Sequence, residues 1–188
     1  METLNVLVVI DAQNDFITGA LANSVADERV PNICRLIEDH DWDMIVATHD
    51  THHEDYLTTP EGMKLPVPHC ILNTEGWKLD PRVTESLAKV NPKYGIIHHN
   101  KYIFGSDNLP NIFHDMIKIG QANGFNFTMC GFCTDICVVS NALILKSSFP
   151  FAGNVTVVEN ACAGVTSESH DAALTTMRMC QVDVVETL

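Results

Sequence analysis

A chain of 188 residues is long enough to bury a sizeable core, and it fits one domain over residues 1–188 better than two. Its composition, 46% hydrophobic and 19% charged, excludes a disordered or low-complexity chain. The formal net charge of -13 excludes a nucleic-acid surface, which needs clustered Lys and Arg to displace counterions from phosphates. We therefore expect partners that are small molecules or further copies of the chain.

The chain begins METLNVLVVIDAQNDF, where a short apolar run follows an acidic start without the basic region and cleavage site of a signal peptide. No stretch reaches the roughly 18 continuous apolar residues that a membrane-spanning helix needs. These features predict a cytoplasmic protein with no membrane partner. In that reducing compartment the seven cysteines are expected as thiols rather than as a disulfide framework.

Six apolar runs, rich in Val and Ile, predict strands that are buried between layers, as parallel sheets require. In chain order they are LNVLVVID, DMIVATHD, YGIIHHNK, NFTMCGF, NVTVVENA and VDVVET. Helices are predicted between them over residues 25–40, 80–89, 109–122, 134–147 and 168–181. This alternation predicts the α/β class, as a three-layer α/β/α sandwich around a mostly parallel, six-stranded, Rossmann-like sheet.

Residues 51–79 form a long segment with several prolines and weak periodicity after the second predicted strand. Loops of that length in a compact domain are usually functional. In open α/β sheets the site lies beyond the carboxyl ends of the strands. We therefore expect the strand-end residues Asp11, Asp50 and Lys101 to converge with residues 132–137.

Cys137 lies three residues into a predicted helix whose N-cap is Thr134, where free backbone N–H groups and the helix dipole favour an anion. That setting lowers a thiol pKa and favours a nucleophilic thiolate. Lys101 can stabilise a thiolate and Asp11 can accept its proton, which gives the set that covalent catalysis needs. Taken singly, Cys137 could be a small core residue, Asp11 a loop cap and Lys101 a solvated strand end.

A second group of candidates lies in the long loop, within DTHHEDYLTTPEGMKLPVPH, and comprises Asp50, His52, Glu61 and His69. Carboxylate and imidazole ligands suit zinc, iron or manganese rather than calcium. The Asp-x-His spacing lets two side chains point to one side of the sheet, and the loop can return the other two. The alternative is a solvated loop, in which such residues are common. The C-x-x-x-C spacing of CTDIC does not match a zinc ribbon.

Three motifs, in this order, resemble the nicotinamidase/isochorismatase-like cysteine hydrolases: DAQNDF at 11–16, the lysine after the third strand, and GFCTDICV at 131–138. The stretch 159–174 is similar to the strand-turn-helix near the C-terminus of that family, so the resemblance covers nearly the whole chain. It implies a triad of Asp11, Lys101 and Cys137. It also implies a cis peptide before Cys133 and an oxyanion hole formed by the backbone N–H groups of Cys133 and Cys137.

The loop resembles that of family members that act on nicotinamide. The resemblance implies one divalent metal ion, with zinc as the first choice and iron or manganese as alternatives. Its ligands would be Asp50, His52 and His69, with Glu61 as the fourth, and the ion would orient the pyridine ring of the substrate.

Substrate contacts are less conventional, because Pro66 stands where many nicotinamidases carry a tryptophan. Phe16 and Phe104 are therefore expected to supply the two faces that contact the ring. Two other functions stay open: cleavage of a different small carboxamide, carbamoyl or ureido compound by the same triad, and a non-catalytic binding scaffold on the same fold. The resemblance also implies a homo-oligomer, either a dimer or a tetramer.

Overall fold

The computed structural model describes residues 2–151 and 153–188. The strands are β1 (Glu2–Ile10), β2 (Met44–Asp50), β3 (Ile96–Lys101), β4 (Ala122–Phe132), β5 (Gly153–Ala163) and β6 (Asp183–Val185). The helices are α1 (Asn14–Ile17), α2 (Ser24–Glu38), α3 (Pro81–Lys89), α4 (Leu109–Lys118), α5 (Val139–Ser148) and α6 (Ser167–Met179). A 3-10 turn at Tyr56–Thr58 lies in the long loop, and a π-helical turn at Thr134–Val138 leads into α5.

The six strands form one sheet in the order β3-β2-β1-β4-β5-β6, and its paired strands are parallel. Every residue of β2 is buried, as expected for a strand covered on both faces. The chain adds strands to one side of β1 and then to the other, so right-handed crossovers place the early and late helices on opposite faces. Accordingly, α2 contacts α1 and α3, while α5 contacts α4 and α6.

The reversal of strand order beside β1 explains where the candidate residues meet. Asp11 directly follows β1, while Asp50 and Lys101 are paired neighbours at the ends of β2 and β3. Cys133 directly follows β4, which pairs with β1 up to the Ile10–Gly131 step. These four strand ends lie at one edge of the sheet, where open α/β sheets form a crevice. The predicted convergence is confirmed.

Three local predictions need correction. The helix predicted over 109–122 is α4, and it ends at Lys118. Gly120 adopts a φ of 77°, and β4 begins at Ala122. The short helix α1 was not predicted, because a single turn carries too little periodicity to detect. Thr134 is not the N-cap of its helix: Cys133 occupies that position, and the Thr134 hydroxyl lies 2.8 Å from His170 Nδ1.

The end of β4 requires a glycine. Gly131 has a φ of 119°, and a Cβ added there would lie 1.9 Å from the carbonyl oxygen of Ile10 on β1. The peptide bond between Phe132 and Cys133 is cis, as the resemblance implies. Within the part of the chain that the structure describes, no helix has the length and apolar character needed to cross a bilayer.

Replacing Gly131 by alanine should lower the free energy of unfolding by about 3 kcal/mol, because β1 would have to move away from β4. The control is Gly95→Ala, at a glycine that also has a positive φ, of 78°, but has open space around the added Cβ. It should cost about 1 kcal/mol, from backbone strain alone. Urea denaturation of both variants measures the difference, and equal losses would contradict a close approach at Gly131.

Candidate active site

The predicted triad is assembled around a buried ammonium group. Lys101 Nζ lies 2.7 Å from Asp11 Oδ2 and donates to Cys137 Sγ at 3.4 Å. It also lies 3.1 Å from Asp50 Oδ1 and donates to the carbonyl of Ile103 at 3.3 Å. The side chains of Lys101 and Asp11 are inaccessible to solvent. The structure therefore brings together the predicted nucleophile, base and cation, which are far apart along the chain.

Thr48, on the neighbouring strand β2, orients the Asp11 carboxylate. Its hydroxyl donates to Asp11 Oδ1 at 2.6 Å and accepts from the backbone N–H of Asp11 at 3.1 Å. Asp11 needs this support because its φ of 46° lies in the left-handed region, which non-glycine residues seldom adopt. The sequence analysis missed Thr48, since a threonine inside an apolar strand carries no functional signal.

Gln13 fixes the position of Asp50 by holding its main chain. The Gln13 side chain donates to the Asp50 carbonyl at 2.9 Å and accepts from the Asp50 N–H at 2.8 Å. It also donates to the carbonyl of Trp77 at 2.7 Å, which ties the long loop to the end of β2. Gln13 belongs to the DAQNDF motif, so the motif was a signal that the sequence analysis did not use for this residue.

The charges of the triad depend on its burial. Burial raises the pKa of Asp11, although Lys101 partly offsets this by stabilising the carboxylate. Burial also disfavours the charged form of Lys101, but the negative charges of Asp11 and Asp50 and the hydrogen bond to Asp11 outweigh it and raise its pKa above the ordinary value. Lys101 is therefore held as a cation between acidic neighbours.

The prediction of a low thiol pKa at Cys137 is wrong for the resting site. Burial raises the pKa of this thiol well above its usual value, and the lowering by Lys101 does not compensate, because Asp11 and Asp50 also oppose a second anion. Cys137 therefore rests as a thiol whose proton must be removed during any reaction. Burial likewise raises the pKa of Cys133 to about 12, which leaves that thiol inert.

Three of the four predicted metal ligands form a tight cluster. One ligand atom each from Asp50, His52 and His69 lies within 4.8 Å of the others. The Nε2 atoms of His52 and His69 are 3.1 Å and 3.5 Å from Asp50 Oδ2. The carbonyl of Val67 lies 2.8 Å from His69 Nδ1, and because a carbonyl can only accept, Nδ1 carries a proton, so Nε2, which faces Asp50, is the ring atom that could bind a metal.

Glu61 lies at the edge of this cluster. Its Oε1 atom is 3.5 Å from His52 Nε2 and 3.9 Å from His69 Nε2, and it is buried without a hydrogen-bond partner. Burial opposes ionisation of Asp50, but bonds with His52 and His69 and the charge of Lys101 hold its pKa far below the usual range. An ionised carboxylate, two imidazoles and an unpartnered carboxyl oxygen fit a divalent cation such as zinc, iron or manganese.

A cavity of about 570 Å³ borders both the triad and the metal-binding cluster. Its wall includes Cys137 of the predicted triad and Asp50 and His69 of the metal-binding cluster. Both predicted aromatic residues line it. Phe16 is buried and packs edge-on against His69, with 5.8 Å between the ring centroids, whereas Phe104 is 40% exposed. The sequence analysis missed several apolar lining residues, namely Leu21, Leu65, Ile136 and Val165.

The isochorismatase domain family matches residues 5–187 of this chain. A nicotinamidase of Schizosaccharomyces pombe is 28% identical over 216 residues, which cover 95% of this chain and 91% of the relative. Among solved structures, a nicotinamidase/pyrazinamidase from Bacillus subtilis has a TM-score of 0.75 at 25% identity, covering 99% of this chain and 100% of that one. A Pyrococcus horikoshii pyrazinamidase in complex with zinc has a TM-score of 0.73 at 22% identity, covering 96% and 98%.

These similarities extend over the whole sheet and its helices rather than over one motif. They confirm the predicted fold class, a parallel six-stranded α/β sheet of the isochorismatase-like kind. The chain therefore belongs to the isochorismatase domain family.

Proposed function

We propose that this protein is a metal-containing nicotinamidase, which hydrolyses nicotinamide to nicotinate and ammonia. Membership of the isochorismatase domain family and the similarity to a nicotinamidase support the coarser assignment, an amidohydrolase. The observation that carries the finer assignment is the single cavity whose wall contains both the Cys137 thiol and the Asp50–His69 side of a metal-binding cluster. A small carboxamide with a ring nitrogen can engage both at once.

The cluster accounts for recognition of the ring. Asp50, His52 and His69 would hold a divalent metal, which when bound would supply a Lewis acid for a pyridine nitrogen and so help to orient the carboxamide. We propose zinc first, since the pyrazinamidase of Pyrococcus horikoshii was solved with zinc, and iron or manganese next. Phe16 and Phe104, which line the cavity, supply apolar and aromatic contacts to the ring.

The chemistry begins with removal of the thiol proton. Asp11 accepts the proton of Cys137, and the sulfur attacks the carboxamide carbon to form a C–S bond. The backbone N–H groups of Cys133 and Cys137 are the proposed donors to the developing oxyanion. The C–N bond then breaks as Asp11 returns the proton to the leaving nitrogen, which departs as ammonia and leaves a thioester.

Water completes the reaction. Asp11 accepts a proton from the attacking water, the new C–O bond forms and the C–S bond breaks, so that the carboxylate product leaves and Cys137 regains its proton. Lys101 stays protonated throughout, because it contacts both acids and the sulfur. Its charge offsets the negative charge that appears on sulfur when the proton moves to Asp11.

The two neighbouring cysteines should behave differently. Cys137→Ala should lower the rate of ammonia release from nicotinamide by about 10⁴-fold or more, because the covalent route is lost. Cys133→Ala should keep most of the activity, since Cys133 contributes its backbone N–H and its thiol is inert. Coupled detection of ammonia measures both. Equal effects of the two substitutions would contradict Cys137 as the sole nucleophile.

The acid limb of kcat/KM should lie above the ordinary titration range of an aspartate, because Asp11 must be ionised and burial raises its pKa. Thr48→Val removes the hydrogen bond that favours the ionised form, so the pKa of Asp11 should rise further. The limb should move to higher pH by about one unit. Thr128→Val, at a buried position in β4, is the control and should leave the limb in place.

Metal retention tests the cluster separately from turnover. Loss of an outer-shell partner typically costs about 10- to 100-fold in metal affinity, and His52→Ala or His69→Ala should cost at least as much for zinc. His53→Ala is the matched control, because this histidine lies in the same loop but stacks on Tyr102 instead. Plasma mass spectrometry after dialysis measures the bound metal. Equal zinc content in all three variants would contradict the assignment of His52 and His69 as metal ligands.

The substrate assignment is tested with metal-loaded protein and a panel of small carboxamides and ureido compounds. Nicotinamide should release ammonia fastest, and stripping the metal should weaken its binding. If intact protein releases ammonia from a ureido or carbamoyl compound but not from nicotinamide, the triad stands and the nicotinamide assignment is wrong.

A further inference from the structure

Asn141 is a fully buried polar residue of α5 that the mechanism above does not use. Its Nδ2 group donates to the carbonyl of Cys137 at 2.8 Å and to the carbonyl of Phe104 at 3.0 Å. Its Oδ1 atom accepts from the backbone N–H of Ser106 at 2.9 Å. Two partners only accept and one only donates, so a single orientation of the amide satisfies all three.

The partners of Asn141 come from two different parts of the site. Cys137 lies in the π-helical turn that carries the reactive sulfur, whereas Phe104 and Ser106 belong to the segment 102–106 between β3 and α4. That segment lies outside the helices and strands, and Phe104 forms part of the cavity wall. Asn141 is thus a direct link between the nucleophile and the wall of the cavity.

From β3 the segment is held by Lys101, which donates to the carbonyl of Ile103, and by His99, whose Nε2 lies 2.8 Å from the Ser106 hydroxyl; Asn141 holds it from α5. Tyr102 and Ile103 are 64% and 59% exposed, so burial of their side chains contributes little to its position. Gly105 allows it to approach α5 closely: an added Cβ would lie 2.6 Å from Ile144 Cδ1 and 3.0 Å from Ser140 Cβ. At this point of approach two hydrogen bonds of Asn141, with Phe104 and Ser106, hold the segment against the helix.

We propose that Asn141 is a positioning residue that locks the segment 102–106 to the Cys137 turn, so that the cavity wall and the nucleophile keep one relative geometry. Its consequences for turnover rest on the proposed function, in which Cys137 attacks a substrate that packs against Phe104. The amide is specific for this role. Leucine has a similar size but no polar atoms, and aspartate keeps the acceptor for Ser106 but loses both donors.

The kinetic test compares Asn141→Leu with Ser86→Ala. Ser86 is also buried, and its hydroxyl donates to Glu38 at 2.5 Å, so its loss removes a partly buried hydrogen bond of α3. Asn141→Leu should lower kcat/KM for nicotinamide by about 10- to 100-fold, with a higher KM and a lower kcat, because small misplacements of reacting groups have effects of this size. Ser86→Ala should keep both constants within about twofold of the unchanged protein while lowering its melting temperature.

A second measurement is independent of the substrate. Hydrogen exchange followed by mass spectrometry should show faster exchange in residues 102–106 for Asn141→Leu and no change there for Ser86→Ala. Asn141→Asp keeps the acceptor, so the Ser106 amide should stay protected while kcat/KM still falls by about tenfold or more. This variant also serves if Asn141→Leu does not fold.

The outcomes separate the two proposals. If the unchanged protein releases no ammonia from nicotinamide, the proposed function fails, and hydrogen exchange still decides whether Asn141 holds the segment. Folded Asn141 variants with unchanged exchange in 102–106 would overturn the positioning role. So would unchanged kcat and KM in a protein that is active on nicotinamide.

Discussion

The buried ammonium of Lys101 is the interaction on which the rest of the site depends. Removing a cation from water is costly, and the cost is met only where opposite charges and hydrogen bonds surround it. Asp11, Asp50 and the Cys137 sulfur supply those partners, and all lie within 3.4 Å of the nitrogen. Loss of Lys101 would leave two buried carboxylates facing each other, so the same contact stabilises the fold and sets the charges of the triad.

Asp50 connects this ammonium to the second half of the site. One carboxylate oxygen faces Lys101 and the other faces the two histidines, so Asp50 contacts the triad and also belongs to the metal-binding cluster. Gln13, which lies between β1 and α1, holds the main chain of Asp50 through two hydrogen bonds and thereby supports both halves of the site. A shift of Asp50 would therefore disturb the sulfur and the metal ligands together, even though they lie on different loops.

The sequence was informative wherever a residue acts through its own position on a strand or in a motif. The ends of β1, β2 and β3 were visible as apolar runs, so Asp11, Asp50 and Lys101 could be placed at one edge of the sheet before their distances were known. It was uninformative about Thr48 and Asn141. These residues act through hydrogen bonds to partners on other elements, and neither a threonine in a strand nor an asparagine in a helix signals such a partner.

The sequence by itself therefore determined the succession of strands and helices along the chain, the family, and the strand-end residues that meet at the site, because these follow from local periodicity and from motifs. Tertiary structure decided how those residues are charged and oriented. The helix-end argument favoured a thiolate at Cys137, yet complete burial beside two carboxylates raises the pKa of its thiol. The effect of desolvation on a pKa depends on all the atoms packed around the group, so it cannot be predicted from a local stretch of sequence.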